Sequence, residues 1–499
     1  MMRPVFILFL ISILLSVVFS KTAEEWKSRS VYQIITDRFA KSDGDSTPCS
    51  DLTKYCGGTF KGIQNNLDYI QGMGFDAIWM SPVVANTPDG YHGYWASDLY
   101  SINEKFGTAE ELKELIEECH NRDIWVMVDV VANHMGYVDN FNFTEIIPFN
   151  DIKYYNPYRS CDDIDFKHQP DVEICWLSGL PDLDQNHPYV RETLIDWAKD
   201  FVQTYQIDGL RIDTIPHVSK GFWGEFSEAV GIYTLGEVLN MDLNYLAGYQ
   251  GSVDAVLNYA LYSTLNFAFQ NNGTMNSIQQ YYRDAYETWP DITTLGNFVN
   301  NHDNPRYLSK TNQLQGFKAA LAFSLGSVGI PIVYYGDEQA FSGGQDPLNR
   351  EALWTDTNTD SDIYNFLKLL NQFRKNTEFY HHDQIERFAD DNFYAFSRGD
   401  YLFAFTNSLE AQTRVIPNHP YHEGALICNI FKPDDCTQVK NGEIQVALLN
   451  GEVKIFSPQE NSKENPPRAE KRLRNNLNIL TSEATFLAQN LIGDSLLLK

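Results

Sequence analysis

Four acidic residues each close a short apolar run. Asp129 ends "IWVMVD", Asp213 ends "IDGLRID", Glu237 follows "IYTLG", and Asp303 ends "GNFVNNHD". Arg211 stands two residues before Asp213, and His134, His217 and His302 lie close to three of the acids. A single aspartate at a strand end is more often a capping or structural residue than a catalyst. Carboxylates delivered to several strand ends, with no strong cluster of metal ligands beside them, suit glycoside chemistry. There, one carboxylate attacks the sugar carbon while a protonated partner donates to the leaving oxygen.

Such a cluster needs elements that end at one rim. Short β-branched runs at 31–35, 75–80, 124–131, 207–213, 232–238, 253–259, 296–303 and 331–337 predict eight strands, with helical patterns such as 108–121 and 189–205 between several of them. Strands alternating with helices predict an α/β fold, a (β/α)₈ TIM barrel whose active residues sit at the C-terminal ends of the strands. A doubly wound open sheet fits the same count. Asp213 and Glu237 are about one strand-and-helix repeat apart, whereas the much longer stretch from Asp129 to Asp213 must contain an insertion. That insertion, 133–188, is rich in Asn, Asp, Pro and aromatic residues and reads as a small extra domain on a long loop. It divides the barrel into 21–132 and 189–376. From 377 to 458 the runs "QIERFA", "NFYAFSRG", "YLFAFTNS", "EIQVALL" and "EVKIFSP" predict a C-terminal antiparallel β-sandwich domain, and 459–499 reads as a flexible, weakly helical tail.

The remaining composition narrows the class. With 499 residues, 43% of them hydrophobic and 14% aromatic, the chain can bury a large core. Residues 1–20 carry Arg3, an apolar run and small residues at the end, which reads as a cleaved secretory signal peptide, with an uncleaved anchor as the alternative. In an exported chain, six of the seven cysteines fall into close pairs, Cys49/Cys56, Cys161/Cys175 and Cys428/Cys436, leaving Cys119 as a buried thiol. A formal net charge of −28 argues against a nucleic-acid partner and for a neutral substrate. The sequons at Asn142 and Asn272 agree with a secreted glycoprotein.

Taken together, "DVVANHMGY" (129–137), "GLRIDTIPH" (209–217), "GEVLN" (236–240) and "FVNNHDNPR" (298–306) resemble the four conserved segments of the α-amylase family. "YQIITDRFA", "GYHGYW", "GLPDLD" and "GGQDPLNRE" match as well, and the chain from about 26 to 456 is similar to secreted fungal-type members. The resemblance implies retaining endo-hydrolysis of α-1,4-glucosidic bonds in starch, glycogen and maltooligosaccharides. It implies Asp213 as nucleophile, Glu237 as acid and base, and Asp303 as transition-state stabiliser. Arg211 would keep Asp213 ionised, while burial and neighbouring acids would keep the proton on Glu237. Tyr94, Trp95, His134, Arg211, His217, His302, Asp346 and Arg350 are implied as substrate contacts. A Ca²⁺ ion is implied between barrel and insertion, on Asn133, Glu173, Asp182 and the carbonyl of His217.

The chain departs from that family in lacking a fourth cysteine pair, in a trimmed C-terminal domain, and in Pro216, where the resembling enzymes carry lysine. Loss of that lysine predicts weaker binding on the leaving-group side. A sugar-binding protein without turnover, or an α-glucosidase or transglycosylase of the same clan, fits the same residues. The expected setting is a monomer, free of the membrane after signal cleavage, either outside the cell or in the lumen of a digestive vesicle.

Overall fold

A computed structural model describes residues 21–270 and 273–459. The expected leader over 1–20, the sequon asparagine Asn272 and all but the first residue of the tail lie outside the described residues.

All eight predicted barrel strands form. They are β1 (Val31–Ile34), β2 (Ala77–Met80), β3 (Trp125–Val130), β4 (Gly209–Ile212), β5 (Tyr233–Gly236), β6 (Ala255–Val256), β7 (Gly296–Asn297) and β8 (Ile330–Tyr334). They pair in parallel in the order β6-β5-β4-β3-β2-β1-β8-β7. A parallel bridge between Leu257 and Gly296 joins the two ends, which makes the sheet a barrel rather than an open sheet. Every residue of β2, β3 and β4 is buried, so apart from Asp129 and Arg211 these strands read as continuous apolar runs instead of alternating ones.

β6 and β7 are cut to two residues each, far shorter than their predicted runs. After β6, the side chain of Asn258 accepts from Leu261 N and starts a helix, Tyr259–Ala268, so the run continues as helix. After β7, side chains replace the ladder: Asn300 Oδ1 accepts from Tyr307 N, and Asn301 Oδ1 accepts from the amides of Asp303 and Asn304. Both departures shape the rim above the strands.

The helices end where local chemistry dictates. The helix Ala109–Asn121 opens on a capping box, Thr108 with Glu111, and buries Leu112, Leu115, Ile116 and Cys119. Each of the leucine and isoleucine side chains among these stabilises the fold by about 1.5–3 kcal/mol relative to exposure. Pro188 opens the helix Pro188–Tyr205, and Gln206 closes it in the left-handed conformation.

Two excursions leave the C-terminal rim. The first, after β2, is a hairpin of Val84–Asn86 with Ala96–Ile102, whose turn contains the "GYHGYW" segment. The second is the insertion before Pro188, built from short 3₁₀ turns and the helix Gln169–Val172. The two are tied together, since Leu99 N donates to Ile147 O and Ile147 N to Ser97 O. The Cys161–Cys175 disulfide staples the insertion, and Cys49–Cys56 and Cys428–Cys436 also form, with Cys119 buried and free.

Beyond the barrel lie β9 (Gln384–Ala389), β10 (Phe393–Arg398), β11 (Tyr401–Thr406), β12 (Gln412–Ile416), β13 (Leu426–Asn429), β14 (Lys432–Gln438), β15 (Ile444–Leu448) and β16 (Val453–Pro458). Six form an antiparallel sheet in the order β9-β10-β11-β16-β13-β14, and β12 pairs with β15. One face of the six-stranded sheet buries Phe393, Ala395, Leu402 and Phe456 against Ile416, Val446 and Leu448 of the small sheet. The other face sets Tyr394, Phe396 and Phe405 around Phe323 of the barrel helix Leu314–Gly326. Burial on both faces explains why β10 and β11 show little alternation.

Candidate active site

β3 and β4 pair so that Asp129 lies beside Arg211, and β4 and β5 deliver Asp213 and Glu237 just past their ends. Arg211 Nη1 lies 2.9 and 3.0 Å from the two oxygens of Asp129 and 2.7 Å from Asp213 Oδ1. Its Nη2 lies 2.7 Å from Glu237 Oε2. One buried guanidinium therefore joins three carboxylates from three successive strands. Buried charges are tolerated only when paired in this way. Asp129 is further held by Tyr94 Oη at 2.7 Å and Trp79 Nε1 at 3.3 Å.

The same surroundings treat two of the acids oppositely. Burial alone would raise Asp213, but Arg211, followed by His134, outweighs it and holds the carboxyl well below its ordinary range. Burial pushes Glu237 up to about 8; Arg211 opposes this, and the charges of Asp213 and Asp303 add to it. Tyr259 Oη donates to Glu237 Oε1 at 3.3 Å and Thr214 N to its Oε2 at 3.2 Å. Asp303 is also raised by burial, against Arg350 and Arg211. With a third of its side chain open, it is the most accessible of the group.

His302 lies 3.3 Å from Asp303 through Nε2. Gln33 Nε2 donates to its Nδ1 at 2.8 Å, which places the ring proton on Nε2, facing Tyr94 Oη at 2.7 Å and Asp303. Burial, with Arg350 and Arg211, drives the pKa of His302 well below its ordinary value, so the ring is neutral. Arg350 donates to His302 O at 2.9 Å and pairs with Asp303 at 3.4 Å and Asp346 at 3.2 Å. His134 Nε2 lies 3.8 Å from Asp213 Oδ2. The Trp95 ring packs edge-on against His92 and Tyr137, in the same hairpin turn that carries Tyr94. The geometry thus gathers Tyr94, His134, Arg211, His302, Arg350 and the three acids, with Trp95 and Asp346 at the margin.

His217 and Glu173 lie on the side of the insertion, His217 still within electrostatic reach of His134 and Asp213. His217 Nδ1 lies 3.8 and 4.0 Å from the sulfurs of Cys175 and Cys161, and burial, with the charge of His134, lowers its pKa to about 4. Glu173 accepts from Gln169 Nε2, which also donates to the carbonyl of Pro216 at 2.8 Å. Pro216 itself is buried in the turn Ile215–His217. Gln33, Thr214 and Tyr259 carry no such signal in the sequence. Gln33 and Tyr259 read as strand residues and Thr214 as part of a turn, and although Gln33 and Thr214 fall inside the matched motifs, no spacing rule marks any of the three as facing the acids.

Asn133 and Asp182 meet because the Pro181–Leu183 segment pairs with Asn133–Met135. The Asn133 side chain lies 3.1 Å from Asp182 Oδ1 and 3.1 Å from His217 O. With the amide nitrogen turned toward them, two hydrogen bonds form; with its oxygen there, three oxygens converge, an arrangement that a hard cation would hold together. Asp182 is fully buried and burial pushes its pKa well up, opposed by Asn156 Nδ2, which donates to its Oδ2 at 2.8 Å. Asn133, Asp182 and the His217 carbonyl therefore fit Ca²⁺, while Glu173 is placed only by its bond from Gln169. Cys161, Cys175 and His217 also lie close together, but the two sulfurs are joined in a disulfide and offer no thiolate.

Residues 33–390 match the family model described as "Alpha amylase, catalytic domain". The chain is 40% identical over 461 residues to an α-amylase of Saccharomycopsis fibuligera, covering 87% of this chain and 92% of that protein. It is 43% identical over 469 residues to α-amylase 2 of Schwanniomyces occidentalis, covering 88% and 92%. Among solved structures, an α-amylase from Malbranchea cinnamomea superposes with a TM-score of 0.84 at 38% identity, covering 88% of this chain and 97% of the other.

Proposed function

The chain belongs to the α-amylase family and is a glycoside hydrolase, and from that premise we propose that it is a secreted α-amylase that cuts internal α-1,4-glucosidic bonds with retention of configuration. The observation that carries this reading is one buried guanidinium, Arg211, 2.7 Å from both Asp213 and Glu237, which with its neighbours lowers the pKa of Asp213 while burial raises that of Glu237.

In the first step Asp213 attacks the anomeric carbon. The bond to the leaving sugar breaks as Glu237 gives its proton to the glycosidic oxygen. In the second, Glu237, now ionised, takes a proton from water, which attacks the same carbon and releases Asp213. Asp303 stabilises the positive charge that develops on the ring between these states. His302, neutral and with its proton on Nε2, and His134 donate to sugar hydroxyls. Tyr94 stacks on the ring at the cleavage point, and Trp95, His217, Asp346 and Arg350 complete the substrate contacts.

The proposed division of labour is a barrel over 21–132 and 189–376, an inserted domain over 133–188 and a β-sandwich domain over 377–458, with a leader over 1–20 and a tail over 459–499. Asn133, Glu173, Asp182 and the carbonyl of His217 would hold Ca²⁺, whose charge offsets that of buried Asp182 and secures the insertion to the rim. Chelation should therefore lower the melting temperature and the activity together, because a ligand bound only by the native state stabilises it. Unchanged melting and activity after complete stripping would rule out this ligand set. No helix among the described residues is long and apolar enough to cross a membrane. The three disulfides suit an oxidising compartment, and we place the protein outside the cell or in a digestive lumen, as a monomer.

Soluble starch is the direct test. Iodine colour should be lost well before reducing ends accumulate, and product sizing should show a spread of maltooligosaccharides. Release of glucose alone from chain ends, or no attack on starch, would overturn the reading.

A further inference from the structure

Thr214 follows Asp213 and adopts φ +43° and ψ +45°. Left-handed backbone is disfavoured for any residue with a Cβ and most of all for a β-branched one, so this position stores strain. A glycine would take the same φ freely. What threonine offers instead is visible in its contacts. Its hydroxyl donates to Asp213 Oδ2 at 3.1 Å, the oxygen that Arg211 Nη1 does not hold. Its backbone N–H donates to Glu237 Oε2 at 3.2 Å. Its carbonyl accepts from His217 N at 3.0 Å, so the strained turn is closed from the far side as well.

We infer that Thr214 is a positioning residue for the reaction, a single strained residue that orients both carboxylates of the catalytic pair. The hydroxyl fixes the rotation of Asp213 about its side-chain bonds. The left-handed backbone aims the amide at Glu237, so the two carboxylates keep their relative orientation while the proton moves. This inference rests on the roles proposed above for Asp213 and Glu237. Besides Arg211 and His134, the charged and titratable groups facing Asp213 are Asp129, His92, Tyr94, His217, Glu237, His302 and Asp303, and the substitutions below leave all of them in place.

The test separates hydroxyl from shape. Thr214→Val keeps the β-branched outline and loses the donor, Thr214→Ser keeps the donor, and Thr214→Gly loses the donor while relieving the strain. On soluble starch, Val and Gly are expected to lower kcat about tenfold, as for loss of a hydrogen bond to a charged group. KM should stay within about twofold if only transition-state positioning is lost. The acid limb of kcat/KM should move upward by about one pH unit, since removing a donor disfavours the ionised carboxylate. Ser should restore both. Should Val fail to fold, Gly, freed of the backbone strain, carries the same comparison. A folded Val or Gly variant with the parent kcat and acid limb would overturn the inference, as would a Ser variant as impaired as they are. If Asp213→Asn and Glu237→Gln are themselves active, the reading of the pair fails whatever Thr214 does. If those two are inactive and Thr214→Val is normal, only the inference about Thr214 fails.

Discussion

Asp213→Asn is expected to reduce turnover of soluble starch by about 10⁴-fold or more, as loss of a nucleophile does elsewhere, with KM nearly unchanged. Glu237→Gln is expected to cost about 10²–10⁴-fold, the range for a general acid. The two losses should differ in kind. Asn cannot form the covalent intermediate, so no choice of substrate rescues it. Gln cannot give a proton, so an aryl maltooligoside with an acidic phenol as leaving group should recover much of the first step while starch stays uncut. Both replacements are near-isosteric, and melting temperatures should confirm folded protein. Near-parent turnover in either folded variant would refute its role, and an aryl substrate that rescues Asn but not Gln would show the roles to be exchanged.

The second large effect concerns Arg211. Its guanidinium touches Asp129, Asp213 and Glu237, all buried. Arg211→Met leaves three carboxylates without that partner. Breaking a buried pair from one side costs about 3–5 kcal/mol, so urea unfolding at neutral pH should show a loss of that order. The pH profile should change as well. In the parent, activity should fall on the alkaline side near pH 8 as Glu237 loses its proton, and on the acid side only well below the ordinary aspartate range, where Asp213 gains one. Without Arg211 both carboxyls bind protons more readily, so whatever activity remains should have both limbs moved to higher pH. Arg211→Lys should fall between, because a single ammonium lacks the planar fork. Parent stability and parent limbs in either variant would contradict the arrangement described.

How far the sequence reveals each residue depends on what that residue does in the fold. The barrel strands are legible because both faces are buried, which leaves apolar runs that survive any rotation of the side chains. Closure is not legible. Barrel and open sheet need the same runs, and the bridge from Leu257 to Gly296 is a matter of backbone geometry. The ends of β6 and β7 fall short of the predicted ones because Asn258 and Asn300 redirect the chain through side-chain bonds, which periodicity does not register. β12, β13 and β14 escape the pattern; β14, "KPDDCTQ", is mostly polar and exposed, and its place in the sheet comes from pairing with β13, Cys428 opposite Cys436. At the site, Arg211 and the acids stand out because charge at the end of an apolar run is conspicuous. Thr214, Tyr259 and Gln33 do not, since a hydroxyl or amide beside a core is commonplace and only coordinates show which way it points.

If Asp213 and Glu237 work as a nucleophile and an acid on one guanidinium, the anomer of the first product reports it most directly. Retaining glycosidases form a covalent intermediate from carboxyl groups about 5–5.5 Å apart, whereas inverting ones leave room for a water between theirs. Proton NMR during the first minutes of maltooligosaccharide hydrolysis, before mutarotation, should show the new reducing ends as the α-anomer. Initial release of the β-anomer would mean that water makes the first attack, and Asp213 would not be the nucleophile.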